Sequence, residues 1–264
     1  MDRKGLLAVA VMIAALALSC LPALAQQHQT KMSSLRPIVI ETVDVLAANR
    51  IALDAGAAFE FDRELTNGAQ YDNLRLAPLG ARFGLGSGAE LGAALAFSAN
   101  DADEGNAPDQ SGLEGLALFG KLQLNSFSAL RVGLVVAGDD DIAPYPNDGV
   151  DLFANLALQK NLENGLLYGE FGYKAQGGDF DTNSYFNYGI GFAMPVSAIV
   201  GLNVELVGEQ AQDVREIGVG NVLDLVLGAN LLLADNLRLA PYLSLGLNDA
   251  GPDAAVGGFL ELRL

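Results

Sequence analysis

The chain has 264 residues, 51% of them hydrophobic, with a net charge of −17 and a mean hydropathy of +0.28. That acidity excludes a nucleic-acid partner, which calls for a basic surface. A single Cys and a single His exclude a disulfide framework and leave no credible histidine-based catalytic arrangement, so neither an enzyme nor a cofactor is implied.

Arg3 and Lys4 precede an uncharged apolar run over 5–18, followed by Ala23, Leu24 and Ala25 and then the polar Gln26, Gln27, His28 and Gln29. This pattern reads as a secretory signal peptide, residues 1–25, cleaved after Ala25. The run is too short for a spanning helix, which needs about 20 apolar residues. The alternative is a lipoprotein signal in which Cys20 is acylated. Cleavage after Ala25 removes Arg3, Lys4 and Asp2, a net +1, and so leaves a mature charge of −18. Residues 26–50 carry no clear alternation apart from a short candidate strand at 37–40. They read as a periplasmic N-terminal segment that either hangs free or folds up into the rest of the chain as a partial plug.

From residue 51 to 264 the sequence is apolar at every second position in stretches of roughly ten residues, separated by connections that alternate long and short. Period two marks half-buried strands. In the first strand, 53–61, Leu53, Phe59 and Phe61 share one face and Asp54 and Glu60 the other. The second, 76–85, sets Leu79, Phe83 and Leu85 against Arg82, and the third, 90–98, brings Glu90 to the polar face. The fourth, 113–124, opposes Leu116, Leu118, Leu122 and Leu124 to Lys121, and the fifth, 130–137, opposes Leu130, Val132 and Leu134 to Arg131. Asp151 comes in the sixth, 150–159, and Glu170 and Lys174 in the seventh, 166–174. The eighth runs from Tyr185 to its stop at Pro195, the ninth (200–209) carries Glu205, and the tenth (223–231) carries Asp224. The eleventh, 237–247, turns Arg238 inward, and the last, 256–264, turns Glu261 and Arg263 inward.

Twelve such strands, with every short turn after an even-numbered one, predict an all-β transmembrane antiparallel up-and-down barrel. Its short turns would be periplasmic and its longer loops extracellular. The 14 charged residues just placed on the polar face are the expected lumen lining. Phe59, Phe61, Phe83, Phe97, Tyr173, Phe186 and Phe192 would supply thin interfacial girdles, since aromatics are 7% of the chain and Trp is absent. The acid outside the strands concentrates in long connections: Asp101, Asp103, Glu104 and Asp109, then Asp139, Asp140, Asp141 and Asp148, then Asp179 and Asp181. Solvated outer loops are the plain reading. Asp139, Asp140 and Asp141 are weak candidates for holding a divalent cation beside lipopolysaccharide phosphates.

Arg36-Pro37-Ile38-Val39-Ile40-Glu41, Pro78-Leu79-Gly80-Ala81-Arg82-Phe83-Gly84-Leu85 and Gly112-Leu113-Glu114-Gly115-Leu116-Ala117-Leu118-Phe119-Gly120-Lys121 resemble segments of the outer-membrane transporter family of meta-pathway phenol-degradation-like proteins. The resemblance spans most of the mature chain. It implies a porin-like barrel admitting small, often hydrophobic or aromatic compounds. The expectation is therefore a passive outer-membrane channel with a narrow charged lumen, whose acidic excess favours cations or neutral solutes. Its partners would be outer-membrane lipid, lipopolysaccharide, the barrel-assembly machinery and small solutes. The alternative is a closed structural or surface-display barrel whose acidic loops bind cations, lipopolysaccharide or a protein.

Overall fold

The computed structural model describes residues 32–64, 70–102, 110–138, 149–177, 184–211 and 221–264. Twelve strands run in chain order: β1 Ile51–Glu64, β2 Gln70–Gly86, β3 Ala89–Ala102, β4 Gln110–Asn125, β5 Ser128–Ala137 and β6 Val150–Leu162, then β7 Gly165–Ala175, β8 Tyr185–Pro195, β9 Val200–Ala211, β10 Val222–Ala234, β11 Leu237–Gly246 and β12 Ala254–Arg263. Each pairs antiparallel with its sequence neighbours, and β1 pairs with β12 from Ala52↔Arg263 to Phe61↔Ala254, so the sheet closes. Closure is what lipid demands, because an open edge would leave backbone N–H and C=O groups unpaired at several kcal/mol each.

The pleat then decides which side each residue faces. Leu91, Leu118, Ile190 and Val204 are 52%, 42%, 56% and 50% exposed, whereas Glu90, Glu205 and Glu261 are 1%, 0% and 2% exposed. Apolar outside and carboxylate inside is the reverse of a water-soluble protein and is the arrangement a bilayer selects. Exposed Phe83, Phe127 and Phe192 mark the short-turn end, and Phe59, Phe61 and Phe97 the long-connection end.

Most of the strands run longer than the alternation predicts, above all β2. Its opening residues Gln70–Arg75 include Asp72 and Asn73, turn formers in isolation, yet Asn73 pairs with Glu60 of β1 and Asn100 of β3. Two of the irregularities in the register bear on the interior. Around Ala77 and Pro78 the ladders on both sides of β2 slip, between Ala55 and Ala58 and between Leu76 and Leu79. Pro has no N–H to give a ladder, so a bulge is where it fits. In β4 the slip opposite Ala96 and Phe97 falls at Gly115, whose φ of 152° suits glycine, and it turns Glu114 into the interior.

A cation at mid-height on the outer face has no water to reach. Leu118→Arg, in the middle of β4, is expected to cost about 2–4 kcal/mol of folding free energy in a bilayer. Denaturant titration of refolding into lipid vesicles measures it.

Candidate functional site

Residues 32–50 form no helix or strand, and they rise into the barrel from its short-turn end. Met32 donates to the Asp235 carbonyl in the β10–β11 turn, and Asn49 donates to Gly84 near the end of β2, so the segment enters and leaves at the same rim. Between those points it climbs to Val39 and descends. An extended segment without a sheet partner exposes its own N–H and C=O groups, and these must be satisfied wherever they are buried. Inward side chains of the barrel do this.

The Glu205 carboxylate accepts the backbone N–H groups of Ile38, Val39 and Ile40 at 2.6, 3.0 and 3.2 Å, and the Tyr168 hydroxyl at 2.8 Å. Asn203 and Asn230 both donate their amides to the Arg36 carbonyl, at 2.6 and 2.7 Å. Glu170 accepts the Glu41 N–H at 2.8 Å, and Glu90 the Leu46 N–H at 2.8 Å. Gly201 lets the segment come close, since a Cβ there would lie 2.2 Å from the Ser34 carbonyl oxygen.

Charge fixes the remainder. Glu261 sits among four guanidinium groups, with Arg36 at 2.7 Å, Arg263 at 2.8 Å, Arg82 at 3.1 Å and Arg238 at 3.2 Å. Arg82 also pairs with Asp54 at 2.7 Å and reaches Glu90 at 3.5 Å. Glu41, on the segment, takes Lys121 and Arg131 at 2.8 Å each. Burial alone would push the Glu41 carboxyl up, but these two cations outweigh it and hold it well below the usual carboxylate range.

Above Val39 lies a second polar tier. Arg75 makes a two-pronged contact with Glu114 at 2.7 and 2.8 Å, and Ser98 donates to the same carboxylate. Arg63 pairs with Glu60 at 2.9 Å and Lys174 with Asp151 at 2.7 Å. Asp224 also turns inward, where its Oδ1 finds no hydrogen-bond partner among the described residues. Between the tiers are two cavities of about 550 and about 390 Å³. Val39, Arg75, Ala117, Arg131, Lys174, Tyr185 and Glu209 line both, so they form one chamber with the segment as its floor.

The structure thus brings ten of the charged residues read from the alternation into the lower tier: Asp54, Arg82, Glu90, Lys121, Arg131, Glu170, Glu205, Arg238, Glu261 and Arg263. Glu60, Asp151, Lys174 and Asp224 stand higher. Sequence reasoning passed over Arg36 and Glu41, which lie outside any strand, and over Arg63, Arg75 and Glu114, which lie beyond or across irregularities. The Arg36 and Glu41 positions carried one signal, an isolated charge on either side of the apolar run 37–40. Of the acidic residues expected in the long connections, Asp101 falls instead in β3, opposite Asp72 of β2, and is exposed, because β2 and β3 extend further than the alternation predicts, whereas Asp103, Glu104, Asp109, Asp139, Asp140, Asp141, Asp148, Asp179 and Asp181 lie outside the described residues. So do the signal region, Cys20 and His28. Among the described residues no cluster of three or more His, Cys, Asp or Glu could hold a metal.

A closed twelve-stranded antiparallel barrel with a lipid-facing outside and a charged inside is the class of fold used by outer-membrane proteins. No family model and no curated protein sequence matches the chain. Among solved structures it is similar to an outer-membrane channel from Pseudomonas putida F1, at 15% identity and a TM-score of 0.60 over 91% of this chain and 100% of that one. It is also similar to the translocator domain of the autotransporter NalP from Neisseria meningitidis, at 12% identity and a TM-score of 0.50 over 98% and 97%. LpxR from Salmonella typhimurium matches at 11% identity and a TM-score of 0.50 over 80% and 99%. At these identities the likeness is one of fold.

Two outcomes test the attachment of the segment. Removing the charged acceptor in Glu205→Ala is expected to weaken local structure by about 3 kcal/mol, from the loss of hydrogen bonds to a charged group. Amide exchange at Ile38, Val39 and Ile40 should therefore accelerate about 100-fold, read by mass spectrometry. The Glu41 ion pairs have the opposite robustness. A depressed carboxyl contributes in full above its unfolded value of about 4.3 and loses that contribution only as pH falls through the folded value. The ¹³C shift of the Glu41 side-chain carboxyl should accordingly still report an ionised group at pH 4.

Proposed function

We propose that the protein is an outer-membrane channel for small solutes, gated by its own N-terminal segment. The observation that supports this most directly is the way the segment is held. Polar side chains grip its backbone, its apolar packing is divided between two small clusters, Ile40 with Leu166, Tyr168 and Ala193 and Val43 with Ala129 and Ala157, and the contacts lie at one end of the lumen. Above it the chamber is wide enough for a small molecule, since ligand pockets run from about 300 to 1,000 Å³. A solute entering from the long-connection side reaches the chamber and stops at Val39, and passage to the periplasm requires displacement of the segment. The likeness in fold to the Pseudomonas putida channel supports the same reading, as does the resemblance of 36–41 and 78–85 to the phenol-degradation-like transporters, which points to hydrophobic or aromatic solutes.

On this reading the barrel sits in the outer membrane after export and cleavage behind Ala25. Lipid contacts its Leu-rich face, lipopolysaccharide lies beside its long connections, and the assembly machinery inserts it. None of these roles calls for catalysis. The rival, a closed structural or display barrel, draws on the dense pairing around Glu261.

Liposome swelling separates the two. Liposomes carrying the full mature chain are expected to swell slowly in small neutral sugars, amides and aromatic alcohols. Deletion of residues 26–46 should raise the rate by about tenfold or more, because the floor of the chamber is gone. A deletion variant that folds, as judged by heat-modifiable gel mobility, yet admits nothing would establish the closed barrel instead.

A further inference from the structure

We propose that the chamber above the segment binds small amphipathic carboxylates, aromatic or short aliphatic acids, as its preferred solutes; this rests on the channel reading above. The inward acids outnumber the inward bases, and on that count alone anions would be disfavoured. Pairing changes what the chamber presents. Each of the three cations that line both cavities has an acid tucked behind it: the Arg75 side chain is 33% exposed and Glu114 7%, Lys174 22% and Asp151 2%, Arg131 25% and Glu41 16%. The exposed edge of each of these three pairs is therefore the positive one.

Arg131 is the best placed of the three. Its guanidinium lies 3.9 Å from the centroid of the Phe119 ring, which fixes its plane. Among the described residues it gives one hydrogen bond, to Glu41, and its Nε is buried, so the donors left for a solute are those of its two terminal nitrogens. A planar carboxylate is the shape that such a pair accepts. Beside the cations the chamber is also lined by apolar, mostly short side chains, with Ala94, Ala117 and Val135 from β3, β4 and β5, Phe259 from β12, and Val39 on the floor. A molecule with an apolar body and one carboxylate satisfies both at once, whereas a neutral hydrocarbon leaves the cations unused and a small inorganic anion leaves the apolar lining uncovered.

Glu209 stands against the anion. It lines the same chamber, and among the described residues its side chain makes no ion pair or hydrogen bond, so its carboxylate repels the ligand's. That opposition keeps binding weak, which conduction requires, since a solute held too well does not leave. It also supplies a signature that a merely greasy pocket would lack: removing a cation and removing Glu209 must act in opposite directions.

Equilibrium dialysis of radiolabelled benzoate against the purified mature barrel in detergent tests this, with heat-modifiable mobility as the check that each variant folds. Benzoate should bind saturably, and neither benzylamine nor benzyl alcohol should displace it at equal concentration. Lys174→Gln and Arg131→Gln should each weaken binding by about tenfold, the loss of one charge-assisted hydrogen bond. Lys174 does not touch the N-terminal segment, so its effect is free of any loosening there. Glu209→Gln should tighten binding severalfold. Displacement by benzylamine, or benzoate binding that none of the three substitutions moves, overturns the proposal. Solute-dependent swelling with no saturable benzoate binding sinks the carboxylate site and keeps the channel. Saturable benzoate binding that responds as stated, without swelling even after deletion of 26–46, keeps the site and sinks the channel.

Discussion

Backbone hydrogen bonding in a medium without water is the constraint on which the rest of this structure depends. Strands in lipid can satisfy their N–H and C=O groups only against one another, so the twelve must close, and β1 finds β12. Closure leaves a cylinder whose pleat sends alternate residues to two different solvents. The outer one tolerates Leu, Ile and Phe. The inner one is narrow, and charges placed there are taken out of bulk water unless they find partners. A buried ion costs several kcal/mol unless it is paired and hydrogen-bonded. The interior is accordingly a network, with Glu261 held by four arginines from β2, β11, β12 and the N-terminal segment.

The same accounting explains why the segment 32–50 is gripped by carboxylates and amides. It has no strand beside it to complete its hydrogen bonds, so Glu205, Glu170, Glu90, Asn203 and Asn230 stand in for one. Apolar residues at those positions would leave Ile38, Val39 and Ile40 with buried, unpaired N–H groups. A segment bound in this way differs from a core. Its backbone partners are polar and can be exchanged for water, and the apolar contacts that its release breaks are confined to the small clusters around Ile40 and Val43. Such a contact is firm at rest and separable as a unit.

How much of this could be read along the chain depends on the range over which each feature is encoded. Alternation is local, since Leu53, Asp54 and Ala55 announce their faces to any reader of three residues, and so the strand number and the antiparallel order were legible. Irregularities are legible only in part. Gly115 looks like any other strand glycine, and nothing nearby says that its φ of 152° will carry Glu114 inward. Asn73 looks like a turn until it is seen between Glu60 and Asn100. The interior network is not local at all. Arg36 meets Glu261 across 225 residues, and the same carboxylate could have served any of the arginines. Periodicity says that a charge points inward; it does not say which neighbour faces it or which member of a pair will be buried.

That last distinction governs what a lumen selects. A sum of charges treats Glu114 and Arg75 as cancelling, yet a solute in the chamber meets them unequally, because the carboxylate lies behind the guanidinium and the guanidinium faces the space. The asymmetry has a physical cause. Carboxylates are short and sit near the wall where strand amides and hydroxyls such as Ser98 can reach them, while Arg and Lys carry long stems that project past their partners. A barrel built from inward acid and base pairs therefore tends to show its cations to the lumen even when its acids are in excess. Glu209, long enough to reach the chamber and left without a cation of its own among the described residues, is the acid placed to set the balance there.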